Sequence, residues 1–323
     1  MVQAIRIHEN GGPEVLKLED IELPPPGPGE IRVRNEAIGL NFIDIYYRSG
    51  QYPAQKPFTP GNEGAGVVLA VGEGVKDFKK GDRVAYVSTF GSYAAERNVP
   101  AAAVVPLPKG VSFDKAAALM LKGLTCEYLL FRSFPVKKGD TILVHAAAGG
   151  VGLILCQWAN ALGCTVIGTV GSQEKAKLAK KNGCHHVILY REENFAERVK
   201  EITGGKKCAV VYDGVGKDTF MGSLDCLRPF GYLINFGSAS GSPEGFNVGV
   251  LSQKGSLYVQ RPTLFAYTSD AKTYQKMAKR LFKAVEKGDF KIPLSTKWPL
   301  ADAAKAHEAL AGRGTTGSMI LKP

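Results

Sequence analysis

Apolar and polar positions follow two different rhythms along this 323-residue chain. Up to about residue 122 the apolar positions fall into short runs, at 30–37, 66–71, 82–87 and 93–99. Dense turn signals separate them: the Pro/Gly run at 24–29, Pro60-Gly61, Gly72-Glu73-Gly74 and Lys80-Gly81-Asp82. Many short strands punctuated by Gly and Pro predict a compact β-barrel-like domain. The texture changes near Ser112. Strands are expected at 141–144, 165–169, 186–189, 208–212, 232–236 and 257–260, with helical patterns up to Leu162 and around 173–182, 195–202 and 217–227. Six strands with intervening helices predict an α/β fold built on a doubly wound parallel sheet. A Lys/Ala-rich helix near 272–287 and a last strand at 319–321 are read as returning to the first domain. The expected division is therefore 1–122 with 265–323 as one domain and 123–264 as an inserted one.

The junction between the first of those strands and its helix reads Thr-Ile-Leu-Val-His-Ala-Ala-Ala-Gly-Gly-Val-Gly over residues 141–152. Ala147, Gly149 and Gly152 take the three positions of a dinucleotide fingerprint, with alanine for the first glycine. A missing side chain at Gly149 lets backbone N–H groups approach phosphate oxygens, and Gly152 lets the helix close on the strand. Tight strand-to-helix turns also need small residues, so the strand before and the helix after carry the reading as much as the glycines do.

NAD-selective sites place an acid about 20 residues beyond the fingerprint, where it accepts a bond from the ribose 2′-OH. Here the second strand ends Ile167-Gly168-Thr169-Val170-Gly171-Ser172, without an acid, and Lys175 follows. A 2′-phosphate suits Ser172, Lys175 and the helix N-terminus. At about 4 Å and an effective dielectric near 20, one lysine–phosphate unit-charge contact is worth roughly 4 kcal/mol before desolvation. The cofactor expected is NADPH. The plainer reading of Lys175 is a solvent-facing lysine on a basic helix.

Charge and composition trim the alternatives. Hydrophobic residues at 45% and charged residues at 22% are globular values. No apolar run approaches a membrane span, and the first residues alternate like a strand rather than a signal peptide, so a soluble cytoplasmic protein is expected. The net charge of +11 is basic, yet the lysine clusters are scattered and have no interleaved aromatics, unlike a nucleic-acid groove. Six cysteines without a Cys-x-x-Cys pair and five histidines without ligand spacing point to buried reduced thiols and no metal site. His145 reads as a packed strand residue rather than a base.

Several segments together resemble the quinone oxidoreductase (zeta-crystallin-like) branch of the zinc-independent medium-chain dehydrogenase/reductases. They are Asn41-Phe42-Ile43-Asp44, Tyr46, Arg48-Ser49-Gly50-Gln51-Tyr52-Pro53, the stretch from Pro60 to Gly66, Lys122-Gly123-Leu124-Thr125 and the glycine turn. Gly168-Thr169-Val170-Gly171, Tyr212-Asp213, Val215-Gly216 and Phe236-Gly237-Ser238 complete the set. The resemblance covers the full length. It implies a GroES-like catalytic domain beside a Rossmann NADPH-binding domain. Zinc-dependent relatives place a ligand Cys near position 41 and a ligand His in Gly-His-Glu, whereas this chain has Asn41 and Gly61-Asn62-Glu63. Metal-assisted alcohol oxidation is thus not expected, since nothing would ionise the alcohol.

The resemblance further implies cofactor contacts at Asn41, Thr125, Gly149, Gly150, Val151, Ser172, Lys175, Tyr190, Phe236, Gly237, Ser238 and Arg313. Plainer roles compete: Tyr190 as a strand-end core residue, Arg313 as a surface residue. Asn41, Tyr46 and Tyr52 match the positions lining the acceptor pocket. Asn41 is assigned to orienting the nicotinamide or its ribose, and the two tyrosines to stacking on the acceptor; Tyr52, beside Pro53, has a second reading as a loop anchor. Hydride addition to a quinone leaves negative charge on oxygen, and without a metal, donors or water must carry it. No general acid stands out, so orientation is expected to dominate, with a solvent proton completing the reaction. An NADPH-dependent enone or alkenal reductase is the nearest alternative, and binding of AU-rich RNA, known among some relatives, is the alternative from another class. Relatives associate as homodimers, often by joining edge strands; 256–260 is the candidate edge here.

Overall fold

The computed structural model describes residues 1–312 and 314–323 and divides into two units. The first comprises Met1–Lys122, Thr268–Phe282 and Ile292–Pro323; the second comprises Gly123–Tyr267 and Lys283–Lys291. The sequence reading keeps 265–323 together, but Lys283–Lys291 clusters with the second unit. There the Phe290 ring lies 5.2 Å from that of Trp158, and the Lys291 N–H donates to Gln157 Oε1 at 3.0 Å.

The first unit starts with an antiparallel pair, β1 (Val2–Arg6) and β2 (Lys17–Ile21). Its main sheet uses β3 (Glu30–Gly39), β4 (Glu63–Val71), β5 (Arg83–Val87), β6 (Glu96–Pro100) and β7 (Val104–Pro106). Alternation along β3 buries Ile31, Val33 and Ala37, and Ile31 and Val33 pack with Val68, Val84, Tyr86 and Val99 from neighbouring strands. Asn35 shares that buried side and is fully used: Nδ2 donates to Ser92 O and Ala94 O, and Oδ1 accepts from the Tyr86 hydroxyl. The expected strand at 93–99 shrinks to β6, with Ala94 in an isolated bridge to Ala4.

A helix at Phe42–Ser49 interrupts this strand-rich region. The Asp44 carboxylate reaches back to the Asn41 N–H at 2.8 Å, which satisfies one of the orphan donors at a helix start. Gly50, at φ +83°, stops the helix in a left-handed conformation that L side chains avoid.

The second unit holds β8 (Thr141–Val144), β9 (Thr165–Val170), β10 (His186–Leu189), β11 (Cys208–Asp213), β12 (Leu227–Asn235) and β13 (Tyr258–Gln260). Its sheet runs β10-β9-β8-β11-β12-β13, every pair parallel. The order reverses between β8 and β11, the switch point outside which doubly wound sheets bind ligands. Leu143, Ile167, Ile188, Val211 and Leu233, one from each of five adjacent strands, are fully buried in a single core. The helix expected at 217–227 is shorter, Phe220–Asp225, because the Asp213 carboxylate first holds the N–H groups of Val215 and Gly216 in a turn.

Two strands then complete the first unit's sheet. β14 (Leu294–Pro299) pairs in parallel with β15 (Ser318–Lys322), and β15 pairs antiparallel with β3. No helix among the described residues is long and apolar enough to cross a membrane, and all six cysteines are buried and unpaired.

Candidate active site and cofactor cradle

In the second unit the glycine turn follows β8 directly. Ala146 takes the left-handed conformation at φ +52°, and the helix Gly150–Ala161 begins after Gly149 with no side-chain cap. Its first N–H groups thus lack a side-chain acceptor of their own, the usual arrangement for receiving an anion. A Cβ on Gly152 would lie 2.3 Å from Ala146 O and 2.8 Å from Ala147 Cα, so only glycine lets the helix seat here. At Gly149 the corresponding approach to Ala146 O is 3.2 Å. Gly150 opens the helix, and Val151 O receives the Cys126 thiol at 3.6 Å. Thr125 is buried on the helix Met120–Tyr128.

Phe236, Gly237 and Ser238 follow β12. A Cβ on Gly214 would meet the Phe236 ring at 3.0 Å, and one on Gly237 would meet Gly214 O at 2.6 Å. The turns after β11 and β12 are therefore packed backbone against backbone. Ser238 Oγ accepts from Arg261, which also donates to Asn235 O. His145 lies buried between Thr169 Oγ1 and Ser223 Oγ, each at 2.9 Å, and burial lowers its pKa. It is a packed residue of the turn that follows β8, not a strand residue.

Beyond β9, Ser172 caps the helix Gln173–Lys181, its hydroxyl accepting from the Lys175 N–H at 3.3 Å. A Cβ on Gly171 would stand 2.9 Å from Tyr190 Oη and 3.3 Å from Arg191 Nε. The Lys175 ammonium is pulled below its ordinary pKa, first by partial burial and then by the Arg191 charge. Two cations therefore face one small region beside a helix N-terminus. The sequence singles out Ser172, Lys175 and Tyr190 as candidates but not Arg191, whose one signal is a basic residue two positions after the third strand. Tyr190 is 46% exposed, which sets aside its reading as a core residue. Arg313 lies outside the described residues.

The first unit carries a buried polar cluster around Asn41. Lys122 Nζ donates to Asn41 Oδ1 at 2.7 Å and Leu40 O at 3.0 Å, and reaches Glu63 Oε1 at 3.4 Å. Asn41 Nδ2 donates to Glu63 Oε1 at 2.7 Å, and the Leu121 N–H to Glu63 Oε2 at 2.6 Å. Glu63 is wholly buried and the Lys122 side chain 8% exposed. Such a pair persists in the interior only when its remaining donors and acceptors are met, as they are here.

A second chain of contacts starts at the same helix. Asp44 Oδ2 accepts from the Asn41 N–H and from the Tyr93 hydroxyl at 3.0 Å. Tyr93 Oη lies 3.0 Å from His307 Nε2, and His307 Nδ1 lies 3.1 Å from Arg48 Nη1. Arginine can only donate, so His307 accepts at Nδ1 and carries its proton on Nε2, toward Tyr93. Burial pushes Asp44 up to about 7, and burial followed by the Arg48 charge pushes His307 down to about 3. In the sequence Asp44, Glu63 and Lys122 carry only the family resemblance, His307 is one of five histidines without ligand spacing, and Tyr93 merely opens the expected strand at 93–99.

Tyr46 is 8% exposed, and its ring meets that of Tyr52 edge to face at 5.2 Å. Tyr52 also donates its backbone N–H to Tyr46 O and touches Tyr47. Both readings of Tyr52, loop anchor and pocket wall, are compatible with this arrangement.

Comparison with known proteins agrees with this architecture. Residues 27–109 match the alcohol dehydrogenase GroES-like domain, and residues 150–283 match the zinc-binding dehydrogenase domain. A quinone oxidoreductase of Pseudomonas aeruginosa is 54% identical over the whole of both chains. A 2-haloacrylate reductase of Burkholderia sp is 46% identical across all of this chain and 99% of its own. The crystal structure of Escherichia coli quinone oxidoreductase complexed with NADPH superposes with a TM-score of 0.98 at 49% identity, covering 99% of this chain and 100% of that one. The chain belongs to the quinone oxidoreductase family of the medium-chain dehydrogenase/reductases.

Proposed function

We propose that this protein reduces quinones with NADPH by direct hydride transfer. The observation that carries the reading is the pairing of Lys175 and Arg191 beside the Ser172 cap, with no acid at the end of β9. Two cations at a helix N-terminus suit a ribose 2′-phosphate. The bare backbone of Gly149 and Gly150 suits the pyrophosphate, and Phe236, Gly237 and Ser238 supply a further close-packed edge. Bound there, the dihydronicotinamide supplies the hydride. Asn41 orients the reacting groups, and Tyr46 and Tyr52 offer ring surface to a planar acceptor. The charge gathering on the acceptor oxygen is met by N–H and O–H donors and by water.

The test is a titration with NADPH and NADH side by side, followed by the loss of 340-nm absorbance with 1,4-benzoquinone and with an acyclic enone. NADPH is expected to bind at least ~100-fold more tightly, the scale of one well-formed charge contact, and benzoquinone to react faster. Equal affinity for the two cofactors would sink the proposal.

The 46% identity to a 2-haloacrylate reductase favours a second acceptor class, an activated carbon–carbon double bond, and a faster rate with the enone would establish it. For assembly, β13 ends the parallel sheet, and Tyr258, stacked on Tyr232 at 4.4 Å, is half exposed. We propose edge-to-edge homodimers through this strand, checked by sedimentation of Tyr258→Lys. Six buried thiols suit a reducing compartment, and we place the protein in the cytoplasm, to be checked by cell fractionation.

A further inference from the structure

We infer that Lys122 is a positioning residue for the reaction, acting through the Asn41 carboxamide. The inference rests on the proposed quinone reduction and on the place given to Asn41 in it.

An asparagine amide has two orientations of almost equal shape, with oxygen and nitrogen exchanged. Here the surroundings select one. Oδ1 faces the Lys122 ammonium at 2.7 Å, and Nδ2 faces the Glu63 carboxylate at 2.7 Å. Exchanging them would set an NH2 against an ammonium and an oxygen against a carboxylate, two contacts with no proton to share or with protons opposed. The selected orientation commits one Nδ2 proton to Glu63 and leaves the other as the amide's donor toward a reacting group. A carbonyl oxygen gaining negative charge needs such a donor.

The anchors are stiff. Glu63 begins β4 and is held from its other oxygen by the Leu121 N–H at 2.6 Å. Lys122 is fixed by Leu40 O and Glu63 as well as by Asn41. These three oxygens use all three ammonium protons, so Lys122 has none to deliver and does not serve as the general acid. Its effect is exerted on the orientation of its neighbour. Nothing in the reading of the sequence assigned it a role.

The test is a double-mutant cycle on the full-length protein with Lys122→Met and Asn41→Ala, using NADPH and 1,4-benzoquinone. Lys122→Met alone is expected to lower kcat by about 10- to 100-fold, with the NADPH dissociation constant changed less than about threefold. The primary isotope effect with 4-deuterated NADPH should rise as hydride transfer becomes slower. In the Asn41→Ala background, Lys122→Met should add less than about a twofold loss, because the amide through which it acts is gone. Because Lys122→Met strands the Glu63 carboxylate in the interior, Lys122→Met/Glu63→Gln is measured beside it and should show the same loss and the same dependence on Asn41. Multiplying losses in the cycle, or a wild-type kcat in either Lys122 variant, overturns the inference. A wild-type protein that fails to oxidise NADPH with any quinone would instead overturn the functional reading beneath it.

Discussion

Replacing Asp44 by Asn isolates one half of a buried pair whose titrations oppose each other. Asp44 rises from 3.8 to about 7 in the fold, so between those values the native protein keeps a proton that the unfolded chain releases. Its contribution to stability is therefore complete below pH 4 and is lost as the pH climbs to 7. At 1.36 kcal/mol per unit, the loss is about 4 kcal/mol. His307 falls from 6.5 to about 3, so the unfolded chain takes up a proton that the native state refuses. Its contribution is complete above pH 6.5 and is lost, by about 5 kcal/mol, as the pH falls to 3. From pH 4 to 6.5 the two slopes nearly cancel, and the parent protein conceals both.

Asp44→Asn keeps both accepted bonds, since the Asn41 N–H and the Tyr93 hydroxyl end on the same oxygen. Urea unfolding of parent and variant at half-unit steps removes the background of other groups by subtraction. The stability of the parent minus that of Asp44→Asn should fall by about 4 kcal/mol between pH 4 and 7. His307→Gln should give a difference of opposite slope, rising by about 3 kcal/mol from pH 4 to 6.5. Differences that stay level with pH would show that neither group is held in its uncharged form, and the reasoning from burial would fail.

Three further outcomes are expected. Lys175→Ala should weaken NADPH binding by about 10- to 100-fold and leave NADH within about threefold, measured by fluorescence titration, with Arg191→Ala acting in the same direction. Gly152→Ala forces a methyl group to 2.3 Å from Ala146 O; it should lower the melting temperature and abolish NADPH binding, and a variant with parental affinity would contradict the cradle geometry. Tyr46→Phe should slow turnover with benzoquinone by less than about 100-fold, and a loss above about 10⁴-fold would make its hydroxyl an obligatory proton donor.

The parallel sheet was readable because strands covered on both faces are written as unbroken apolar runs, such as Ile142–Val144 and Val210–Tyr212, each followed by a helical pattern. β14 was not, because Ser295, Thr296 and Lys297 give it no apolar alternation. The helix Phe42–Ser49 was hidden in a strand-rich region, where its one sign was the Asn41/Asp44 pair at capping distance. In the proposed cofactor cradle the glycines stand within a few residues of one another and are visible locally. The Asn41 cluster could not, because its members come from positions 41, 63 and 122, and Tyr93 and His307 stand 214 residues apart. Nothing local marks a lysine or a histidine for a partner so distant.

The position of β15 between β14 and β3 bears on how the polypeptide is made. During synthesis the Thr141–Gln260 portion emerges with every strand of its parallel sheet present and is free to consolidate early. The Glu30–Gly39 strand emerges far sooner, yet its partner at Ile38 and Gly39 is Ile320–Leu321. A nascent chain must therefore keep that flank of the sheet open until residues 320 and 321 have been added.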